Sequence, residues 1–288
     1  ITGNFITAGS AGKFAQDRSQ LPLSASEREN EPEQGDLEPT GEDDIEGGAR
    51  PFRIAMFPGA FKPPHKGHLN MAERLAKNSG IDKVQIIISS PLKNQRSLPN
   101  GKVIDAETSK LIWQQLISNS DIPNAEAHVS PGVSPMQLVY DYVMKDPDPN
   151  DELVAPLGAE VFLGCGDKGD DRMRYEGLVK KARKDLKIKI VVCPLDERHD
   201  PSYIELLDAN PEIKAQVPSA KESALNFQDF HGKDMRFFAA LAGESEIGLQ
   251  LFSSFVPEGD ALPILGILGI NPAGNTNANQ PDTKEVDS

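Results

Sequence analysis

The chain has 288 residues, 38% of them hydrophobic, with 44 acids against 30 bases and a formal net charge of −14. That apolar content suffices for one large core or two small ones. The acidic balance argues against general binding to nucleic acid or to an anionic membrane, which needs clustered Lys and Arg, but leaves room for a small phosphorylated ligand in a local basic pocket.

Residues 1–50 hold eleven acids and four bases. Within them "SASERENEPEQGDLEPTGEDDIEGGAR" (24–50) is rich in Glu, Asp, Pro and Gly and has no apolar periodicity. Such a segment does not repay the entropy of ordering by itself, so 1–50 is expected to be an acidic tail, disordered or extended along a partner. No signal peptide opens it, and a start on Ile1 in place of Met is what a processed or trimmed piece would show.

From residue 52 the texture changes. "FRIAMF" (52–57) predicts a short strand, and "HLNMAERLAKNSG" (68–80) has helical spacing and closes on Gly. "KVQIIIS" (83–89) is a β-branched run suited to a parallel strand buried on both faces. A helix over 105–118 follows, with Trp113 packed on the sheet, and then a weaker strand over 125–130. "SPMQLVYDYVMK" (134–145) opens on Ser then Pro, an N-cap and first helical residue. A strand over 159–166, a helix over 171–185 and a strand over 187–194 complete the alternation.

Beyond 200 the pattern loosens until two helices, 232–244 and 246–255. "ALPILGILGI" (261–270) is apolar but about half the length a membrane span needs, and 271–288 is a polar tail. The expected organisation is therefore a tail over 1–50, a domain over 51–260, and an apolar patch with a polar end over 261–288. Cys165 and Cys193 each end an apolar run and read as buried thiols of a soluble, cytoplasmic protein in a reducing compartment.

Alternating β and α elements predict an α/β fold of parallel strands, with ligands held outside their carboxyl ends. "GAFKPPHKGH" (59–68) lies where the first strand gives way to the first helix. Helix N-termini attract anions there, Gly59 allows close backbone approach, Pro63 and Pro64 stiffen the turn, and Lys62 and Lys66 add positive charge.

This run resembles the His-x-Gly-His signature of the nucleotidyltransferase superfamily, which includes nicotinamide-nucleotide and phosphopantetheine adenylyltransferases and the cytidylyltransferases. Gly59, Phe61, Pro63, His65, Gly67 and His68 fall at the expected places. The resemblance implies a Rossmann-like fold with a five-stranded parallel sheet in the order 3-2-1-4-5 and helices on both faces. "SSPLKNQRS" (89–97) is similar to the segment that carries a phosphate-contacting base, here Lys93 and Arg96. "LGCGDKGDDRMRY" (163–175) is similar to a Gly-x-Asp stretch near the ribose and base, here Gly164 and Asp167. "FHGKDMRFFAALAGES" (230–245) is similar to the last motif, Ile-Ser-x-Thr-x-x-Arg, with Arg236 at the arginine position. His231 and Lys233 stand where Ser and Thr are usual, which puts activity in doubt, although Lys233 and Arg236 could still hold phosphates.

The implied activity is transfer of a nucleoside monophosphate, AMP from ATP in preference to CMP from CTP, to a phosphorylated small molecule, with release of pyrophosphate. The implied catalytic residues are His65, His68, Lys93 and Arg236. Gly59, Phe61, Lys62, Gly67, Arg96, Gly164, Asp167 and Lys233 would bind the nucleotide. Mg²⁺ would be carried mainly by the triphosphate, and no metal-ligating set is expected in the protein. The chain has no Walker-A loop and no Gly-x-Gly-x-x-Gly after the first strand, which disfavours a P-loop kinase and a dinucleotide oxidoreductase. The alternative is a weakened or inactive relative serving as a scaffold, docking through its tails in a homo-oligomer or larger assembly without nucleic acid or membrane.

Overall fold

The computed structural model describes residues 50–77, 80–90, 95–122, 124–132, 134–166, 170–193, 201–222 and 231–274. The chain divides into two units, Ile1–Gly48 and Ala49–Ser288, and every described residue belongs to the second. The expected tails over 1–50 and 271–288 therefore fall almost wholly outside the described residues.

Five parallel strands form the sheet: β1 (Arg53–Gly59), β2 (Lys83–Ile88), β5 (Ala125–Val129), β6 (Glu160–Gly166) and β7 (Lys187–Cys193). A separate two-residue hairpin, β3 (Arg96–Ser97) with β4 (Val103–Ile104), lies between β2 and β5. The sheet order is β5-β2-β1-β6-β7, which is 3-2-1-4-5 when its strands are counted along the chain. The order reverses between β1 and β6, because β1 pairs with both β2 and β6.

Alternation along β1 sets the layers. Ala55 and Phe57 face a core shared with helices α1 (Lys66–Ala76) and α2 (Ala106–Ser118), while Ile54 and Met56 face α3 (Pro135–Met144) and α4 (Asp170–Val179). Such two-sided burial explains why β2 and β6 are nearly continuous apolar runs. Asp105 caps α2 by accepting from the Thr108 backbone N–H at 2.7 Å, and Pro135 opens α3 as its first residue.

Three features depart from the sequence expectation. Helix α4 ends at Val179, short of the expected 185. The reason is Arg183, whose guanidinium donates to the carbonyls of Lys145, Ala155 and Pro156 and so binds a turn to two other loops. The loosely patterned stretch after 200 contains short helices α5 (Pro201–Asp208), α6 (Pro211–Lys214) and α7 (Pro218–Glu222), each opened by Pro. Finally, the apolar segment 261–270 is not an exposed patch. It forms α10 (Ala261–Leu268), whose Ile264, Leu265 and Leu268 are buried in the same core as α1 and α2. Gly269, at φ +70, ends α10 in the left-handed conformation, and the Ile270 N–H returns to the Leu265 carbonyl at 2.9 Å. No helix among the described residues is long and apolar enough to cross a membrane.

Candidate active site

The turn between β1 and α1 is built around one aromatic ring. Phe61 adopts φ +48, an uncommon conformation for a residue with a side chain. Its ring folds back over Gly59 and packs edge-on against Phe57 (5.0 Å), His68 (5.0 Å) and Trp113 (5.2 Å). A Cβ on Gly59 would lie 2.5–2.9 Å from that ring. Glycine is thus required for close packing here, and Phe61, a sequence-predicted ligand contact, is chiefly a support: it is 3% exposed.

The support orients the histidines. His65 is the N-cap of α1, and its backbone N–H donates to His68 Nδ1 at 3.2 Å. A ring nitrogen that accepts bears no proton, so neutral His68 carries its proton on Nε2, where it can be donated to an anion. The two imidazoles stack with centroids 3.7 Å apart. The backbone N–H of Lys66 donates to the Phe255 carbonyl at 2.7 Å, which ties the start of α1 to the region after α9 (Glu246–Ser253).

The second wall comes from 174 residues away. Arg236, on α8 (Gly232–Ala242), donates from Nη1 to the Lys62 carbonyl at 2.6 Å. The Gly232 α-carbon packs so close that an added Cβ would meet the same carbonyl at 3.3 Å. Asp234 in the first turn of α8 is fully buried, accepting from the Ser219 backbone N–H at 2.9 Å and from the Ser219 hydroxyl. Burial raises its pKa, against the opposing effect of the two Ser219 hydrogen bonds. This Asp234–Ser219 pair fixes the helix that presents Arg236. Sequence reading missed it, because Ser219 sits in one of the short helices that lack a periodic signal.

These elements enclose a cavity of about 650 Å³ at the carboxyl ends of β1 and β6. It is lined by Gly59, Phe61, Lys62, His65, Gly67 and His68 from the first turn, by Arg96 from the hairpin, by Gly166 from β6, and by His231, Lys233 and Arg236 from α8. Among the described lining residues there are four cationic side chains and three histidines, and no carboxylate. In a chain of net charge −14 this is a strong local inversion. Desolvation holds the Lys62 ammonium below its ordinary pKa, partly offset by attraction to Asp105. Arg236 is likewise lowered, first by burial and then by repulsion from the Arg96 guanidinium.

The sequence-predicted residues thus divide. Gly59, Phe61, Lys62, His65, Gly67, His68, Arg96, Lys233 and Arg236 converge on one cavity. Lys93 and Asp167 lie outside the described residues. Gly164 does not line the cavity: it is buried within β6, where an added Cβ would meet a Leu75 methyl at 2.6 Å, so its role is close packing of β6 on α1. Tyr175 donates its hydroxyl proton to the Gly164 carbonyl at 3.0 Å from the other side.

A family model described as cytidylyltransferase-like matches residues 56–202, just over half the chain. A probable nicotinate-nucleotide adenylyltransferase of Azobacteroides pseudotrichonymphae genomovar. CFP2 is 44% identical over 51 residues, covering 17% of this chain and 27% of that protein. A protein of the same description from Ruegeria pomeroyi is 29% identical over 89 residues, covering 30% of this chain and 40% of its own length. The chain therefore matches well under half the length of either relative. Among solved structures, the nicotinic acid mononucleotide adenylyltransferase of Plasmodium falciparum complexed with APC is 11% identical, with a TM-score of 0.37 over 76% of this chain and 96% of its own. The NadR protein in complex with NR is 16% identical, with a TM-score of 0.35 over 58% and 42%. With the family model spanning β1 through β7 and the His65–His68 turn at its head, the chain belongs to the cytidylyltransferase-like family.

Proposed function

We propose that the chain is a nucleotidyltransferase that moves AMP from ATP to a phosphorylated small molecule, a pyridine mononucleotide such as nicotinate mononucleotide, and releases pyrophosphate. The observation that carries this reading is the carboxylate-free, cation-lined cavity at the β1–β6 carboxyl edge, where α/β sheets of this order bind ligands. The names of the two curated relatives support the adenylyl group and the pyridine acceptor.

The chemistry asks for positioning and charge stabilisation more than for covalent help. A phosphate oxygen of the acceptor attacks the α-phosphorus of ATP. The bond from the α-phosphorus to the oxygen bridging to the β-phosphate breaks, and pyrophosphate leaves with that electron pair. His68, with its proton on Nε2, donates to an oxygen that gains charge as the α-phosphorus becomes pentacoordinate. His65, stacked on it, keeps the ring in place. Lys62, Arg96, Lys233 and Arg236 neutralise the remaining phosphate oxygens, which offsets their mutual repulsion. Among the described residues no group of three or more His, Cys, Asp or Glu could hold a metal ion. Mg²⁺, which screens phosphate charge, would enter with the triphosphate.

The scaffold alternative draws on His231 and Lys233 in place of Ser and Thr, on the long acidic tail, and on the apolar run over 261–270 beside a polar end. Burial of Ile264, Leu265 and Leu268 weakens the third support, while the acidic tail lies outside the described residues. Lys233 lines the cavity beside Arg236, a position from which an ammonium can take over phosphate binding from a hydroxyl. The test is to incubate the protein with Mg²⁺, ATP or CTP, and a panel of phosphorylated acceptors, and to identify the product by mass spectrometry. An adenylylated pyridine mononucleotide is expected. Nucleotide binding without any adenylylated or cytidylylated product would favour the scaffold.

A further inference from the structure

The hairpin between β2 and β5 is too short to hold itself in place. Its strands have two residues each, with Arg96 paired to Ile104 and Ser97 to Val103, and even longer two-stranded hairpins are marginal in water. Yet among the described residues that line the cavity it supplies Arg96, a cation that belongs neither to the β1–α1 turn nor to α8. The position of Arg96 must therefore be set by contacts between the hairpin and the rest of the fold.

Two anchors do this. On the inner side Leu98 and Ile104 are buried in the core that also takes Ile264, Leu265 and Leu268 of α10. At the turn, Lys102 Nζ donates to the Leu268 carbonyl at 2.6 Å. Leu268 is the last residue of α10, where carbonyls have no partner within the helix and the dipole is negative, so an ammonium suits the place in both hydrogen bonding and charge. Gly269 makes room for it, since an added Cβ there would collide with Lys102 Nζ. Within the hairpin, the Lys102 carbonyl accepts from the Leu98 N–H at 2.8 Å, and the Lys102 N–H donates to Asn100 Oδ1 at 3.0 Å. Lys102 thus closes the turn through its backbone and fastens it to α10 through its side chain.

Across the cavity stands a second guanidinium. Arg96 is exposed, while Arg236 is held by its Nη1 bond to the Lys62 carbonyl at 2.6 Å, and the two lie close enough to repel each other. No carboxylate separates them among the described lining residues. An anion between them would remove the repulsion, and each guanidinium can grip phosphate oxygens through two N–H groups. Without its anchor the Arg96 side chain would be free to move off into solvent, leaving Arg236 to hold that phosphate from one side.

We propose that Lys102 is a positioning residue: by fastening the β3–β4 turn to the carbonyl end of α10, it holds Arg96 opposite Arg236 so that one phosphate group is gripped from both sides. The proposal rests on the reading of the cavity as a triphosphate site, and it is tested by binding alone, apart from turnover. Inorganic tripolyphosphate and Mg-ATP serve as probes, titrated by calorimetry against the wild type, Lys102→Met, Lys102→Arg, Arg96→Ala and the double variant Lys102→Met/Arg96→Ala, with thermal melting of each. Lys102 is exposed, so its replacement leaves folding intact. Lys102→Met should weaken both probes by about fivefold to tenfold, and Arg96→Ala by at least as much, the scale for losing a hydrogen bond to a charged group. The double variant should bind no more weakly than Arg96→Ala alone, because Lys102 acts through Arg96. Lys102→Arg keeps a donor for the Leu268 carbonyl and should stay within about twofold of the wild type. Additive losses in the double variant, or unchanged binding by a folded Lys102→Met protein, would overturn the proposal while leaving the triphosphate site standing. Failure of the wild type to bind either probe at millimolar concentration would overturn both.

Discussion

Gly59 and Phe61 illustrate how a ligand-binding turn is held by groups that do not bind the ligand. Gly59→Ala places a methyl carbon 2.5–2.9 Å from atoms of the Phe61 ring, and the ring must shift relative to Phe57, Trp113 and His68. Overpacking of this kind costs about 1–3 kcal/mol, so denaturant unfolding should show a loss of that size together with reduced turnover, since His68 loses its edge contact. Lys62 supplies a pH signature. Its pKa is lowered by burial, so the free protein gives up that proton earlier than an exposed lysine would. A bound triphosphate favours the ammonium. Affinity for ATP should therefore be highest below the lowered pKa and fall as pH rises through it. Lys62→Met should both weaken binding and remove that part of the pH dependence, as calorimetric titrations across the alkaline range would show.

At the scale of elements, α10 is the clearest case of sequence and structure parting. The run over 261–270 is apolar all round, so periodicity gave no face to dock, and a segment without a face reads as a patch. In the fold it is capped at Gly269 and buried against α2, with Gln115 and Asn119 reaching from α2 to Asp260 at its start. Leu265→Ala should cost about 2–5 kcal/mol, as in other buried leucine truncations, measured by chemical denaturation; a loss below about 0.5 kcal/mol would mean that α10 is peripheral. The five strands and the first three helices were legible because each carries an apolar run or helical spacing, weakest in the strand over 125–130. The hairpin β3–β4 and helices α5 to α7 were not, since strands of two residues show no alternation and helices of four to eight residues span too few turns to show a period. Part of the candidate site was legible through the resemblance: the Gly59–His68 run is contiguous, and Arg236 lies on the amphipathic helix α8. Asp234 and Ser219, which hold that helix, are joined only by the fold.

At the scale of the whole molecule, charge is segregated. A chain of net charge −14 gathers Lys62, Arg96, Lys233 and Arg236 on one edge of its sheet and places Asp148, Asp151 and Glu152 around a cavity on the other. Among the described residues the two cavities thus carry linings of opposite charge, and the basic one at the β1–β6 end would favour an anionic ligand. The central claim is that nucleotidyl transfer happens there, with His68 Nε2 donating to the oxygens of the reacting phosphate. Its most direct test is the rate of pyrophosphate release, with ATP and nicotinate mononucleotide both saturating, for the wild type and His68→Ala, alongside thermal melting of each. The account predicts that the two proteins melt within a few degrees of one another, while turnover falls by about a hundredfold or more, the scale for losing one donor to a transition-state oxygen. Wild-type turnover left unchanged in a folded His68→Ala protein would contradict it.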